Sequence, residues 1–253
     1  MKETLIFNGT GINYSWHLPR LFDIPFDEFT ARSPMYFLSG GSTALMVYWA
    51  FKKNLATWGR KELLNWNRLT HAAYGNNLLS GTKRFLKLAL KSKSPIYTAE
   101  DYKRAWSIAV RPEFFEVKMK DLPKNVFVPL LERASNEIVI ASADSKFADM
   151  PAYLVSFAAT AIPNVFPDIS LGSSTYGDIT YSRKFLPWLK AMEQKAPYFE
   201  NYNLLKNAEF SNGKYIKICD HPNPKKMMQS ENMKFLFGRY LKTYPENILR
   251  SKI

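Results

Sequence analysis

A serine at position 39 lies in Phe37-Leu38-Ser39-Gly40-Gly41-Ser42-Thr43-Ala44, between an apolar run and a helix-like run. A tight strand-to-helix elbow of this composition holds a hydroxyl out for attack on a carbonyl. A serine hydroxyl is a poor nucleophile and needs a base within hydrogen-bond reach. The chain has three histidines: His17 in the first predicted helix, His71 in a basic stretch and His221 in Asp220-His221-Pro222. His221 would give the chain order serine, acid, histidine. Asp178, in Ser174-Thr175-Tyr176-Gly177-Asp178-Ile179-Thr180, offers a carboxylate in a turn after a predicted strand. The alternative for Asp178 is an Asx-turn or a helix cap. A third segment, Phe7-Asn8-Gly9-Thr10-Gly11-Ile12-Asn13-Tyr14, puts glycines at alternate positions after a strand. The N–H groups around Gly9, Thr10 and Gly11 suit a phosphate or an oxyanion. A dinucleotide fingerprint would need a further glycine where Tyr14 stands.

These groups need strands and helices to position them. Thr4 to Phe7 and Met35 to Leu38 read as strands, with a helix from about Tyr14 to Leu21 between them. Thr43 to Leu55 reads as a helix that is apolar nearly all round, hence buried. Glu62 to Lys93 is helical and basic, and Thr98-Ala99-Glu100-Asp101 is a capped helix start. Phe114 to Met119 and Glu137 to Ala141 read as strands, and a helix is expected from Pro151 to about Thr160. Beyond Phe185 come one helix, a strand at Lys214 to Cys219 and a closing helix at about 230–242. Strands alternating with helices predict an α/β fold, a mainly parallel sheet with helices on both faces. The whole chain, 1–253, reads as one domain, with a basic helical insertion or lid at about 60–110.

Composition narrows the class. With 46% hydrophobic residues in 253, the chain can build a sizeable core. The one cysteine, Cys219, excludes an internal disulfide; in an apolar run, it reads as a buried structural thiol. A net charge of +13 favours anionic partners. The basic clusters are short, such as Lys52-Lys53 and Lys225-Lys226, so no focused nucleic-acid motif appears. No secretory signal pattern and no apolar window of spanning length is seen, which predicts a cytoplasmic, at most peripherally membrane-bound protein. Close His and Cys spacing of a zinc site is lacking.

Three segments in order resemble the patatin-like phospholipases. Residues 5–21, Leu-Ile-Phe-Asn-Gly-Thr-Gly-Ile-Asn-Tyr-Ser-Trp-His-Leu-Pro-Arg-Leu, resemble that family's opening strand, glycine-rich loop and first helix. Leu38-Ser39-Gly40-Gly41 resembles its nucleophile elbow, and Ala158 to Pro167 the approach to its catalytic aspartate, with Tyr176-Gly177-Asp178 at the aspartate itself. The resemblance implies an α/β/α sandwich of three layers. It also implies a lipid acyl hydrolase, of phospholipase A or lysophospholipase type, without a cofactor. Ser39 and Asp178 would form a histidine-free dyad, passing through an acyl-enzyme, and Gly9, Thr10 and Gly11 would form the oxyanion hole. An acyltransferase with the same dyad, or a catalytically degenerate lipid- or protein-binding module, is also compatible. The sequence departs from the family at Phe37, Asn13 and Tyr14, where the family has glycine, arginine and glycine, and at Ile179-Thr180 after the aspartate.

Lys52, Lys53, Arg60, Lys61, Lys83, Arg84, Lys87, Lys91 and Lys93, interspersed with Trp49, Trp58, Trp66 and Phe85, suit an anionic bilayer surface. The alternative is that the aromatics are core and the lysines a solvated face. A protein activator is a further partner compatible with the degenerate loop.

Overall fold

The computed structural model describes residues 4–7, 17–31, 34–64, 95, 97–163 and 166–195. The described elements are, in order, β1 (Leu5–Phe7), α1 (Leu18–Asp23), α2 (Phe26–Ala31), β2 (Met35–Phe37), α3 (Gly40–Lys52) and α4 (Arg60–Leu64). Then follow α5 (Ala99–Ser107), β3 (Val126–Glu132), β4 (Glu137–Ala141), α6 (Ala152–Ala159), β5 (Ile169–Leu171), β6 (Ser174–Gly177) and α7 (Phe185–Lys195). The fold is mixed α/β around an open sheet in the order β1-β2-β3-β6-β5, with β4 also paired to β3.

β1, β2 and β3 are parallel neighbours. Beyond β3 the sheet is not parallel as expected: β4 and β6 run antiparallel to β3, and β5 antiparallel to β6. Short connections are the reason for the β3–β4 and β5–β6 pairs, since a parallel pair needs a long crossover. β5 and β6 are joined through Gly172-Ser173, with Gly172 at φ 67°, and β3 and β4 through residues 133–136, with Asn136 at φ 54°. Both left-handed residues suit tight hairpins.

Alternation along the strands divides the core. Leu5, Phe7, Met35, Phe37, Val126, Val128 and Leu130 pack with α1, α3, α5 and α6. Ile6, Leu38 and Leu131 point the other way, against Phe185 and Leu189 of α7. β1, β2 and β3 thus have one face toward each helical group.

Several local expectations change. The first helix begins at Leu18 with Pro19 in its first turn, later than periodicity suggests. Phe114 to Met119 is not a strand: Pro112–Glu116 and Met119–Asp121 are short 3₁₀ helices, with Phe114 and Met119 buried. Proline fixes the first of these at its start. Leu55 and Ala56 meet Val110 and Arg111, so the 60–110 excursion leaves and returns at one place. Its last part is core, because Tyr97, Tyr102 and Trp106 are buried. The strand at 214–219, the helix at 230–242, His71, His221, Cys219 and most of the basic insertion lie outside the described residues.

Candidate active site

The elbow is built by backbone packing. β2 ends at Phe37, the Leu38 N–H donates to the Phe7 carbonyl at 2.9 Å, and α3 starts immediately at Gly40. Ser39 between them has φ 46° and ψ −123°. A non-glycine residue there is strained, and such strain concentrates at functional turns. A Cβ on Gly41 would collide with the Phe7 carbonyl oxygen and sit 3.1 Å from its carbon. Glycine at 41 is what lets helix and strand approach this closely. Ser42 closes the turn by donating its hydroxyl to the Ser39 carbonyl at 2.7 Å. Phe37 does not crowd the elbow: its ring stacks on Phe7 at 4.5 Å, within the core.

The carboxylate arrives from the opposite direction. β2 runs parallel to β3, against its first residues, whereas β6 runs antiparallel to it, against its last. The C-terminal ends of β2 and β6 therefore converge along β3. Asp178 follows Gly177 at the end of β6, and its N–H reaches the Ala161 carbonyl at 3.3 Å. The side chain caps a single 3₁₀ turn: Oδ1 accepts from the Thr180 N–H at 2.9 Å and from Thr180 Oγ1 at 2.8 Å. Oδ2 stays available and accepts the Ser39 hydroxyl at 2.5 Å. Both predictions for Asp178, a cap and a partner of Ser39, describe the same side chain. Thr180 is a positioning group that sequence reasoning noted only as a departure from the family.

Ser39 is 3% exposed and Asp178 1%. Burial pushes the Asp178 carboxyl from 3.8 up to about 6. The hydrogen bonds from Ser39 and Thr180, and the charge of Arg133, oppose that rise. A carboxylate with this pKa is mostly ionised at pH 7 and is a stronger base than an exposed aspartate. The pair can thus take a proton from Ser39 Oγ as it attacks an electrophile.

An oxyanion needs donors. The Gly40 N–H, first in the thirteen-residue α3, donates to no described residue, while the Gly41 and Ser42 N–H groups turn back to Leu38 and Ser39. The helix dipole favours negative charge at this end. Gly9, Thr10 and Gly11, with Asn13 and Tyr14, lie outside the described residues. Their strand ends at Phe7, against the elbow. His17 is buried edge-on to the Phe7 ring at 5.6 Å, and the hydroxyl of Ser39 is taken by Asp178.

No family model matches the chain, and no curated protein matches it.

Proposed function

We propose that the protein is a patatin-like acyl hydrolase with a three-layer α/β/α body, cleaving carboxylic esters of lipids through Ser39 and Asp178. The observation that carries this reading is the buried 2.5 Å hydrogen bond from Ser39 Oγ to Asp178 Oδ2, between residues 139 apart in the chain, at a strained strand-to-helix turn. Asp178 accepts the Ser39 proton while Ser39 Oγ bonds to the ester carbonyl carbon. The carbonyl oxygen takes the negative charge and is met by the Gly40 N–H and by the loop holding Gly9, Thr10 and Gly11. Collapse expels the alcohol, which recovers the proton from Asp178, and leaves an acyl-Ser39 ester. Water, deprotonated by Asp178, then bonds to the acyl carbon, and Ser39 Oγ leaves with that proton, releasing the acid. Each oxyanion donor contributes about 3 kcal/mol of barrier lowering.

Peripheral contact with anionic bilayers draws support from composition rather than from the described surface. Lys53 lies over Phe26 and Trp49, and Arg60 over Phe22, so these cations are held by core-edge aromatics. The same elements carry Asp23, Asp27, Glu28 and Glu62. Lys53 also sits at the far end of α3, about 20 Å from Ser39 at 1.5 Å per residue. Excess basic charge belongs instead to residues 65–94, where Arg68, Lys83, Arg84, Lys87, Lys91 and Lys93 occur without an acidic residue. Among the described residues no helix is long and apolar enough to cross a membrane.

The test is turnover of phospholipids and short-chain acyl esters, with products identified, for the parent and for Ser39→Ala and Asp178→Ala. Activity in the parent alone is expected; equal turnover in all three would reject the dyad.

A further inference from the structure

Arg133, the first residue after β3, has no part in the proton transfer, yet it is built against the turn that carries the base. Its N–H donates to the Thr175 carbonyl at 2.9 Å, fixing it beside β6. Its guanidinium is clamped by Asp168, with Nε at 2.8 Å and Nη2 at 2.7 Å from the same carboxylate oxygen. The clamped group lies against Gly177. A Cβ at position 177 would fall 2.5 Å from the guanidinium carbon and 2.7 Å from Nε. Gly177 has no positive φ, so its backbone does not demand glycine. A methyl group there would push the Arg133 guanidinium off its seat.

We infer that Arg133 is a positioning residue of the dyad: seated on Gly177 and tied to Asp168, it locks the turn before Asp178 and holds a fixed positive charge against that carboxylate. This rests on the reading of Ser39 and Asp178 as nucleophile and base. The surrounding ionisable groups are engaged elsewhere. Tyr176 donates to Glu132 at 3.2 Å, Lys184 is paired with Glu137, and Lys146 lies over the Phe147 and Tyr176 rings. From the elbow side, α1 brings His17 against the Phe7 ring, and α3 and α6 bring no charged group to Asp178 within their described residues. Among the described residues, the positive charge of Arg133 favours the Asp178 anion.

Replacing the charge should therefore raise the Asp178 midpoint, and the charge-keeping Arg133→Lys separates this from any loosening of the turn. The Asp178 ¹³Cγ resonance of the full chain, assigned by its loss in Asp178→Asn, is followed against pH. Arg133→Met is expected to raise its midpoint by about 0.5 pH unit. Gly177→Ala should do the same by displacing the guanidinium, and the two changes together should add little. Arg133→Lys keeps the charge without the planar fork and should restore the midpoint. Asp168→Asn breaks the clamp without removing the cation, and should leave the midpoint unchanged or lower. An unchanged midpoint in both Arg133→Met and Gly177→Ala would overturn the inference, as would Arg133→Lys matching Arg133→Met. The resonance reports whether or not the protein turns over an ester. Inactivity with a shifted midpoint would thus fail the hydrolase reading alone.

Discussion

The two halves of the proposed dyad are held by opposite means. Ser39 stands at a strained φ of 46° with no side-chain cap, and its place is set by main-chain contact, Gly41 against the Phe7 carbonyl. Asp178 has relaxed dihedrals, φ −66° and ψ 127°, and its place is set by polar side chains, two bonds from Thr180 on one oxygen. A nucleophile positioned by shape should respond to volume and backbone strain. A base positioned by hydrogen bonds and burial should respond to charge and pH.

Ser39→Ala should bring the largest change, a loss of about 10⁴-fold or more in ester turnover with the fold retained, read from initial rates and circular dichroism. Asp178→Asn should cost about 10³-fold in the same assay. Its effect on stability has the reverse sign. An aspartate near 3.8 unfolded and about 6 folded binds protons more tightly in the native state, so stability is full at low pH and falls as pH rises through that window. Removing this ionisation should raise stability at pH 8 by up to about 3 kcal/mol, less the weakened hydrogen bonds. A lower Tm for Asp178→Asn than for the parent at pH 8 would contradict the burial argument. Gly41→Ala should destabilise by about 3 kcal/mol by forcing α3 off β1, with a neutral result breaking the contrast between the halves. Ser39→Gly should relax the elbow and exceed Ser39→Ala in stability by about 1 kcal/mol in denaturant unfolding, the smallest change and the most direct reading of the strain.

Legibility in the sequence followed the same division. The serine elbow and the aspartate turn both stood out, because glycines and polar turn residues mark where the chain bends. The helix after Ser39 begins three residues before its predicted start at Thr43, since Gly40-Gly41 reads as turn chemistry when glycine is there for close packing. β3, the strand that aligns both halves, is absent from the strands that the sequence pattern predicts. Pro129 within Val126–Glu132 argues against a central strand, yet it pairs opposite Ile140 in the antiparallel hairpin with β4. Phe114 to Met119 looked like a strand by composition, but the sheet is completed without it and Pro112 starts a 3₁₀ turn. Arg133 could not be found by spacing, because its relation to Gly177 exists only once β3 and β6 are paired.

The central claim is that Asp178 activates Ser39. Reaction with an acyl-mimicking fluorophosphonate, followed by peptide mass mapping, tests it most directly. The predicted result is one adduct on Ser39, forming faster as pH rises through about 6 and nearly abolished in Asp178→Asn. An adduct on another residue, or labelling of Ser39 at an undiminished rate in Asp178→Asn, would contradict the account.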